Sequence, residues 1–450
     1  MPQLSDARNR SRVSLARPGV IKPGSERLLD WRRTMAKRPG VIVVGGGLAG
    51  LACANALLEA RVDAHVLEAA EAPGGRVRTD SYEGFLLDRG FQVYLTAYPE
   101  GQRVLDLQAL SLHRFIPGAK VWRGGRLHTV ADPLRHPVAA VSHLFDAVGG
   151  LADKLRVLDL RQHATSGELE DVWQRPQQDS LRFLRDLGFS DEMLDAFLRP
   201  FFGGIFLERQ LTTSSRMLEF VFRMFSQGHA AVPERGMEAI PAQLAAKLPS
   251  GALRMRVRVA EVWGHRVRLS DGEMLHSDAV VVATDPGTAA SLLVGMPSPV
   301  MNPATCLYFA APEPPVEGPW LTLNGDGQGP VNSVAVMSEV SPAYAPQGQS
   351  LVSVSVVDDD GDAASLEARV RAQLAEWFGA AVAAWRHLRT YAIAQALPAQ
   401  PPAVLGEPHR PVRLSAGLYV CGDHRENASI NGALMSGRRA AEAVLQDLGR

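Results

Sequence analysis

The sequence predicts an α/β fold whose buried parallel-sheet segments are separated by long stretches of other patterning. Three observations carry that expectation. A short all-apolar run, Val41-Ile42-Val43-Val44, leads into glycines and then an Ala- and Leu-rich helix former, as expected for a strand buried on both faces. Similar apolar runs return far along the chain, at residues 279–283 and 418–421. Between them lie long stretches of different periodicity. The chain has 450 residues, long enough for two large domains. With 46% apolar and 21% charged residues, it is not globally disordered.

In chain order, residues 1–38 come first, with ten Arg/Lys against three Asp/Glu and no sustained apolar period. They are expected to be a disordered extension or to lie upstream of the true start, at Met35. A functional basic arm is the competing reading. No apolar signal core is evident. The strand at Val41 opens a βαβ unit: a glycine turn, a helix over residues 51–60, and a strand over 62–67. Residues 119–128 suggest a strand, a glycine turn and a strand. Apolar-periodic helices follow within 139–225, among them 181–187 and 217–225. The β pattern returns over 253–282, with Asp271-Gly272 as a turn. Residues 331–336 and 351–357 alternate as antiparallel strands, 363–378 form a helix, and 418–421 and 432–445 form the last strand and helix.

Composition excludes several functions. The net charge of −1 provides no field to draw in nucleic acid. Three cysteines without a CxxC pair exclude a disulfide scaffold and a cysteine zinc site. Twelve histidines show no metal-ligand spacing. The longest uncharged stretch, residues 41–58, holds four glycines and an asparagine, which suits buried elements better than a membrane span. A cytoplasmic protein is expected, with peripheral membrane contact left open.

Gly45, Gly47 and Gly50 form a G-x-G-x-x-G that follows a strand and opens a helix. Glu68 closes the next strand. Together these are the signature of a Rossmann-type dinucleotide site. Gly45 permits the tight turn, Gly47 lets a pyrophosphate approach the backbone, and Gly50 lets helix and strand pack closely. The helix N-terminus at Leu48 and Ala49 offers free N–H groups and a positive dipole end to the phosphates. Glu68 suits ribose hydroxyls and disfavours NADP.

The next motif favours FAD over NAD. Gly74, Gly75, Arg76 and Thr79 form G-G-R-x-x-T directly after the acidic strand end, and Arg76 can neutralise pyrophosphate charge with a forked donor set. Here the sequence resembles the flavin-containing amine oxidase superfamily, which includes phytoene-desaturase-like and protoporphyrinogen-oxidase-like enzymes. The C-terminus supports the resemblance. Gly422-Asp423 ends a strand, and Ser429, Ile430 and Asn431 open a helix. In that family the acid matching Asp423 bonds to the ribityl chain, and the helix N-terminus faces the flavin. Val259 resembles the start of the segment whose backbone holds the adenine. Pro233 to Pro241 resembles the family's glycine-methionine turn, and Tyr391 to Pro398 a segment near the flavin.

The resemblance implies an amine-oxidase/glutathione-reductase-like two-domain flavoprotein with an inserted α+β substrate domain. The FAD-binding domain takes residues 39–104, 228–300 and 412–450, and the substrate domain takes 105–227 and 301–411. The implied chemistry is FAD-dependent removal of hydride from a C–H bond, with oxygen, quinone or another acceptor reoxidising the flavin. An apolar substrate, carotenoid- or porphyrinogen-like, is expected. The Phe-rich run at 199–207 and Met217, Phe220, Val221, Met224 and Phe225 at helical spacing form either a core-facing helix or a tunnel wall. Amine oxidation is disfavoured, because the family's amine oxidases commonly use a lysine from the second half of the chain. Here the lysines stand only at Lys22, Lys37, Lys120, Lys154 and Lys247. A flavin-dependent isomerase and a catalytically silent FAD-binding partner remain alternatives. No catalytic acid or base is nameable. His424, next to Asp423, is expected to be solvated or structural, with a place near the flavin as the competing reading, and Cys421 is expected to be a buried residue at a strand end rather than a flavin-linking thiol.

Overall fold

The computed structural model describes residues 40–131, 148–359, 361–406 and 408–450. The expectations for residues 1–38, and for helix between 139 and 147, lie outside the described residues. Within the rest, six strands form one sheet in the order Leu253–Arg254, Ala64–Leu67, Val41–Val44, Ala279–Val282, Leu418–Val420, Arg413–Ser415. All neighbours are parallel except the last pair. Val41 lies opposite both Ala64 and Ala279. The three central strands are buried along their whole length, which explains their lack of alternation in the sequence. In this register Val44, Leu67, Val282 and Val420 end on the same edge. That edge is where open parallel sheets bind ligands.

The helices Leu48–Glu59 and Ile430–Asp447 pack against each other. Their close approach depends on Gly437: a Cβ there would lie 2.2 Å from the Ala49 carbonyl oxygen.

A second sheet has seven strands, ordered Arg386–Pro398, Met301–Ala311, Ser350–Val356, Val331–Val336, Leu321–Asn324, Gly118–Arg123, Arg126–Ala131. Two distant stretches build it, joined by the parallel pairing of Leu321–Asn324 with Gly118–Arg123. One face carries Leu307, Phe309, Val334, Val352 and Val354, and packs on Leu366, Val370, Leu374 and Trp377 of the helix Leu366–Phe378. The opposite face, with Cys306, Tyr308, Leu323 and Ala335, joins the main core. That core also takes in the helices Arg199–Phe206 and Ser215–Gln227. Residues 39–450 form one compact unit. Dividing it into cofactor and substrate halves at the boundaries above stays a proposal.

Several elements differ from the expectation. The first helix begins at Leu48, not residue 51, because the glycine turn ends at Gly47. The last helix runs Ile430–Asp447 and so starts two residues early. The hairpin Thr79–Tyr82/Phe85–Asp88 and the long strand Met301–Ala311 were not expected. No helix among the described residues is long and apolar enough to cross a membrane.

Candidate functional site

The edge of the parallel sheet gathers three chain crossings, two between backbones and one through side chains. Gly45 has φ +109°, and its N–H donates to the Leu67 carbonyl at 2.8 Å. A Cβ on Gly50 would sit 2.0 Å from the Gly45 carbonyl oxygen, so helix and turn touch backbone to backbone. A Cβ on Gly47 would meet nothing within 4 Å, so its backbone faces open space. The helix Leu48–Glu59 has no side-chain cap at Gly47 and no acid in its first turn. The N–H groups at Leu48 and Ala49 thus stand at a helix end suited to an anion.

The second glycine run crosses the first. Gly74 bridges Gly47, and its N–H donates to the Gly46 carbonyl at 2.9 Å. The Cβ position of Gly75 lies 3.5 Å from the Gly47 Cα. A side chain at Gly75 would enter the space along Gly47, whereas one at Gly74 would strike the Val77 carbonyl oxygen at 2.4 Å, so the crossing is a cradle for a backbone-bound group. Glu68 follows its strand as expected. Its carboxylate accepts from the Gly46 N–H at 2.6 Å and the Ala70 N–H at 2.7 Å. Each oxygen keeps a further lone pair for ribose hydroxyls. The Val257 N–H donates to the Glu68 carbonyl at 2.9 Å, bringing the stretch that leads into the strand Val259–Trp263 alongside the acid.

The third crossing is C-terminal. Arg76 donates to Asp423 at 2.6 Å and to the Ala396 carbonyl at 2.9 Å. The sequence suggests a pyrophosphate partner for Arg76, whereas the structure gives part of its fork to Asp423. Ala396 lies in the 391–398 segment, so that segment does reach the site. Ser429 caps the helix Ile430–Asp447 by accepting from the Gly432 N–H at 3.0 Å. Asn431 accepts from the Glu100 N–H at 3.0 Å, which anchors the first turn of that helix. Cys421 is buried at its strand end, as expected, and burial pushes its thiol pKa well up. His424 is not solvated: it is 4% exposed, and burial pulls its pKa down to about 4.

One cluster was not foreseen. Asp88 is fully buried and accepts from the Thr79 hydroxyl at 2.5 Å, the Met237 N–H at 3.0 Å and the Tyr344 hydroxyl at 2.9 Å. The Tyr308 hydroxyl donates to the Asp88 carbonyl at 2.9 Å. The cluster therefore locks the G-G-R-x-x-T strand to the glycine-methionine turn and to the large sheet. Its signal in the sequence was the pairing of Thr79 with Asp88, but the tyrosines are more than 200 residues away.

The phenylalanines gather as well. Met217, Phe220, Val221 and Met224 are buried, as for a core-facing helix. Phe220 stacks on Tyr98 at 6.1 Å, and the Tyr98 hydroxyl lies beside Ser429. Phe197, Phe201, Phe222 and Phe225 are only partly buried, and Phe201 packs on Phe225 at 5.3 Å.

The donor set fits FAD: an uncapped helix N-terminus and open glycine backbone for phosphates, an acid for ribose, and a second helix N-terminus across the site. Among known proteins, polyamine oxidase 4 of Oryza sativa subsp. japonica is 42% identical over 73 residues, 16% of this chain and 15% of that protein. Hydroxyneurosporene desaturase of Cereibacter sphaeroides is 28% identical over 296 residues, 57% of this chain and 58% of that protein. The chain thus spans less than two thirds of these relatives. An oxidoreductase structure from Methanosarcina mazei superposes with a TM-score of 0.70 at 19% identity, covering 90% of this chain and 100% of that one. Residues 48–445 match the family model of flavin-containing amine oxidoreductases, and the chain belongs to that family, with FAD as its cofactor.

Proposed function

We propose that this protein is an FAD-dependent dehydrogenase that oxidises a C–H bond of an uncharged, apolar substrate, in the manner of a desaturase. The observation that carries the reading is the state of the buried carboxylates. Six lie buried among the described residues: Asp88, Glu100, Asp153, Glu219, Asp423 and Glu426. Each already has partners. Arg438 holds Glu100, and Arg175 and His163 hold Glu219. Arg439 and His409 hold Glu426, and Arg76 holds Asp423. Asp153 accepts from Ser190 and the Gly150 N–H, and Asp88 has its three donors. An ammonium substrate taken out of water needs an anion without a cation of its own; Glu100, Glu219, Asp423 and Glu426 each have one, and Asp88 and Asp153 are already held by neutral donors. The lack of any lysine after Lys247 points the same way.

FAD supplies two-electron oxidation when bound in such a site. The chain's part is to bind, orient and exclude water. The Gly47 backbone and the helix end at Leu48 would hold the phosphates of FAD, and Glu68 would hold its ribose. The Arg76–Asp423 clasp fixes the C-terminal side. The helix end at Ile430 presents a positive pole that favours negative charge. The half-buried phenylalanines supply an apolar wall for substrate. Oxygen, a quinone or another acceptor would complete the cycle.

Anaerobic mixing of the FAD-loaded protein with polyenes, porphyrinogens and amines tests the reading. Bleaching of the flavin absorbance by an apolar substrate class is expected. Bleaching by a simple amine, with no response to polyenes or porphyrinogens, would overturn it.

A further inference from the structure

The helix Leu151–Thr165 carries an apolar row on its outer side. Its inner side is ordinary: Leu160 and Ala164 are fully buried, and the helix packs on Ser215–Gln227. On the outer side, Leu151 is 68% exposed, Leu155 56% and Leu158 37%. Spacings of four and three residues put them on one line along the helix. Eight large apolar side chains stand exposed among the described residues, and three of them form this line. Scattered exposed apolar residues need no explanation, but a contiguous group marks an interaction site. A helix facing water would carry its polar residues along that line instead.

The charges stand beside the row. By helical spacing Lys154 and Arg161 lie along one edge and Arg156 along the other, all three half-buried. The acids do not balance them. Asp153 is buried and held by Ser190 and the Gly150 N–H, which leaves Asp159 as the exposed acid of this helix. An apolar row between basic edges suits a helix lying in the plane of a membrane surface, with its cations reaching the headgroups. It does not suit a span, since 15 residues reach only about 22 Å.

We infer that this face docks on a lipid bilayer with anionic headgroups, with Leu151, Leu155 and Leu158 at the acyl boundary and Lys154, Arg156 and Arg161 among the headgroups. The contact adjoins the apolar wall. Arg161 donates to the Ser226 carbonyl at 3.4 Å, one residue beyond the half-buried Phe225. An apolar substrate dissolved in the bilayer would therefore meet the protein beside its phenylalanines.

The test is co-sedimentation of the FAD-loaded protein with vesicles of phosphatidylcholine, with and without phosphatidylglycerol. Wild type is expected to sediment with the anionic vesicles, less with the neutral ones, and to be released by added salt. A triple variant, Leu151→Gln with Leu155→Gln and Leu158→Gln, is expected to keep its flavin and melting temperature, because none of the three belongs to the buried core. Its affinity for anionic vesicles is expected to fall about tenfold or more. Should that variant not fold, Leu155→Cys carrying an environment-sensitive dye decides. The three native cysteines are buried, so the label goes to residue 155, and its emission is expected to shift to the blue when anionic vesicles are added. Unchanged emission would overturn the inference. So would vesicle binding by the triple variant at wild-type strength, or no binding by wild type. Lipid-free dimers that the triple variant abolishes, with no vesicle binding, would give the row to a second copy and overturn it as well. No substrate enters these measurements, so the docking face and the choice of substrate stand or fall separately.

Discussion

Replacing Asp88 by asparagine should change how stability depends on pH, with a sign opposite to that of most carboxylates. Burial raises the Asp88 pKa to about 6 from an ordinary 3.8, even though Thr79, the Met237 N–H and Tyr344 favour the charged form. A pKa raised on folding means that the folded state holds the proton more tightly than the unfolded chain. The stabilisation is therefore complete below pH 3.8 and is lost as pH rises through about 6. The gap between those values corresponds to about 3 kcal/mol. The amide introduced by Asp88→Asn cannot titrate. Subtracting the variant's unfolding free energy from that of wild type isolates this group from every other acid. Urea denaturation of both proteins at intervals from about pH 4 to pH 8 is the assay. The wild-type advantage should shrink by about 2–3 kcal/mol between the acid and neutral ends. The amide also turns an N–H2 toward donors, which should cost about 1–3 kcal/mol at every pH. A wild-type advantage that stays constant across the range would refute the reasoning, because the carboxyl would then titrate alike in both states.

Other perturbations follow from the cradle. Gly50→Ala drives a methyl to 2.0 Å from the Gly45 carbonyl oxygen, so the variant should purify with little flavin and a lowered melting temperature, as read from the flavin-to-protein absorbance ratio and thermal unfolding. Glu68→Gln turns an amide donor toward either the Gly46 or the Ala70 N–H, and FAD affinity by titration should fall by about 1.5–3 kcal/mol. Asp423→Asn leaves the Arg76 charge without its counter-ion, and FAD affinity should fall about tenfold or more. Wild-type affinity in both acid variants would show that the cofactor lies elsewhere.

The parts of this molecule that were legible in the sequence are those whose causes are local. A strand buried on both faces needs an unbroken apolar run, and Val41–Val44 and Ala279–Val282 provide one. A phosphate loop needs glycine at positions where a Cβ would strike backbone, and Gly45 and Gly50 are such positions. The edge strand Arg386–Pro398 is half solvated and mostly polar in its first half, so no period marks it out. Met301–Ala311 is exposed or half-buried over its first five residues and fully buried over the rest, so its two ends follow different patterns. Side-chain commitments across the fold were hidden for a different reason. Arg76 and Asp423 are 347 residues apart, and Asp88 and Tyr344 are 256 apart. Neither pair can be known before the sheets are assembled. The same blindness shaped the reading of substrate. Residue types alone do not show that acids such as Glu219 and Glu426 have cations of their own. Only the assembled fold pairs each of them with its own cation, and the proposal of an apolar substrate rests on that pairing.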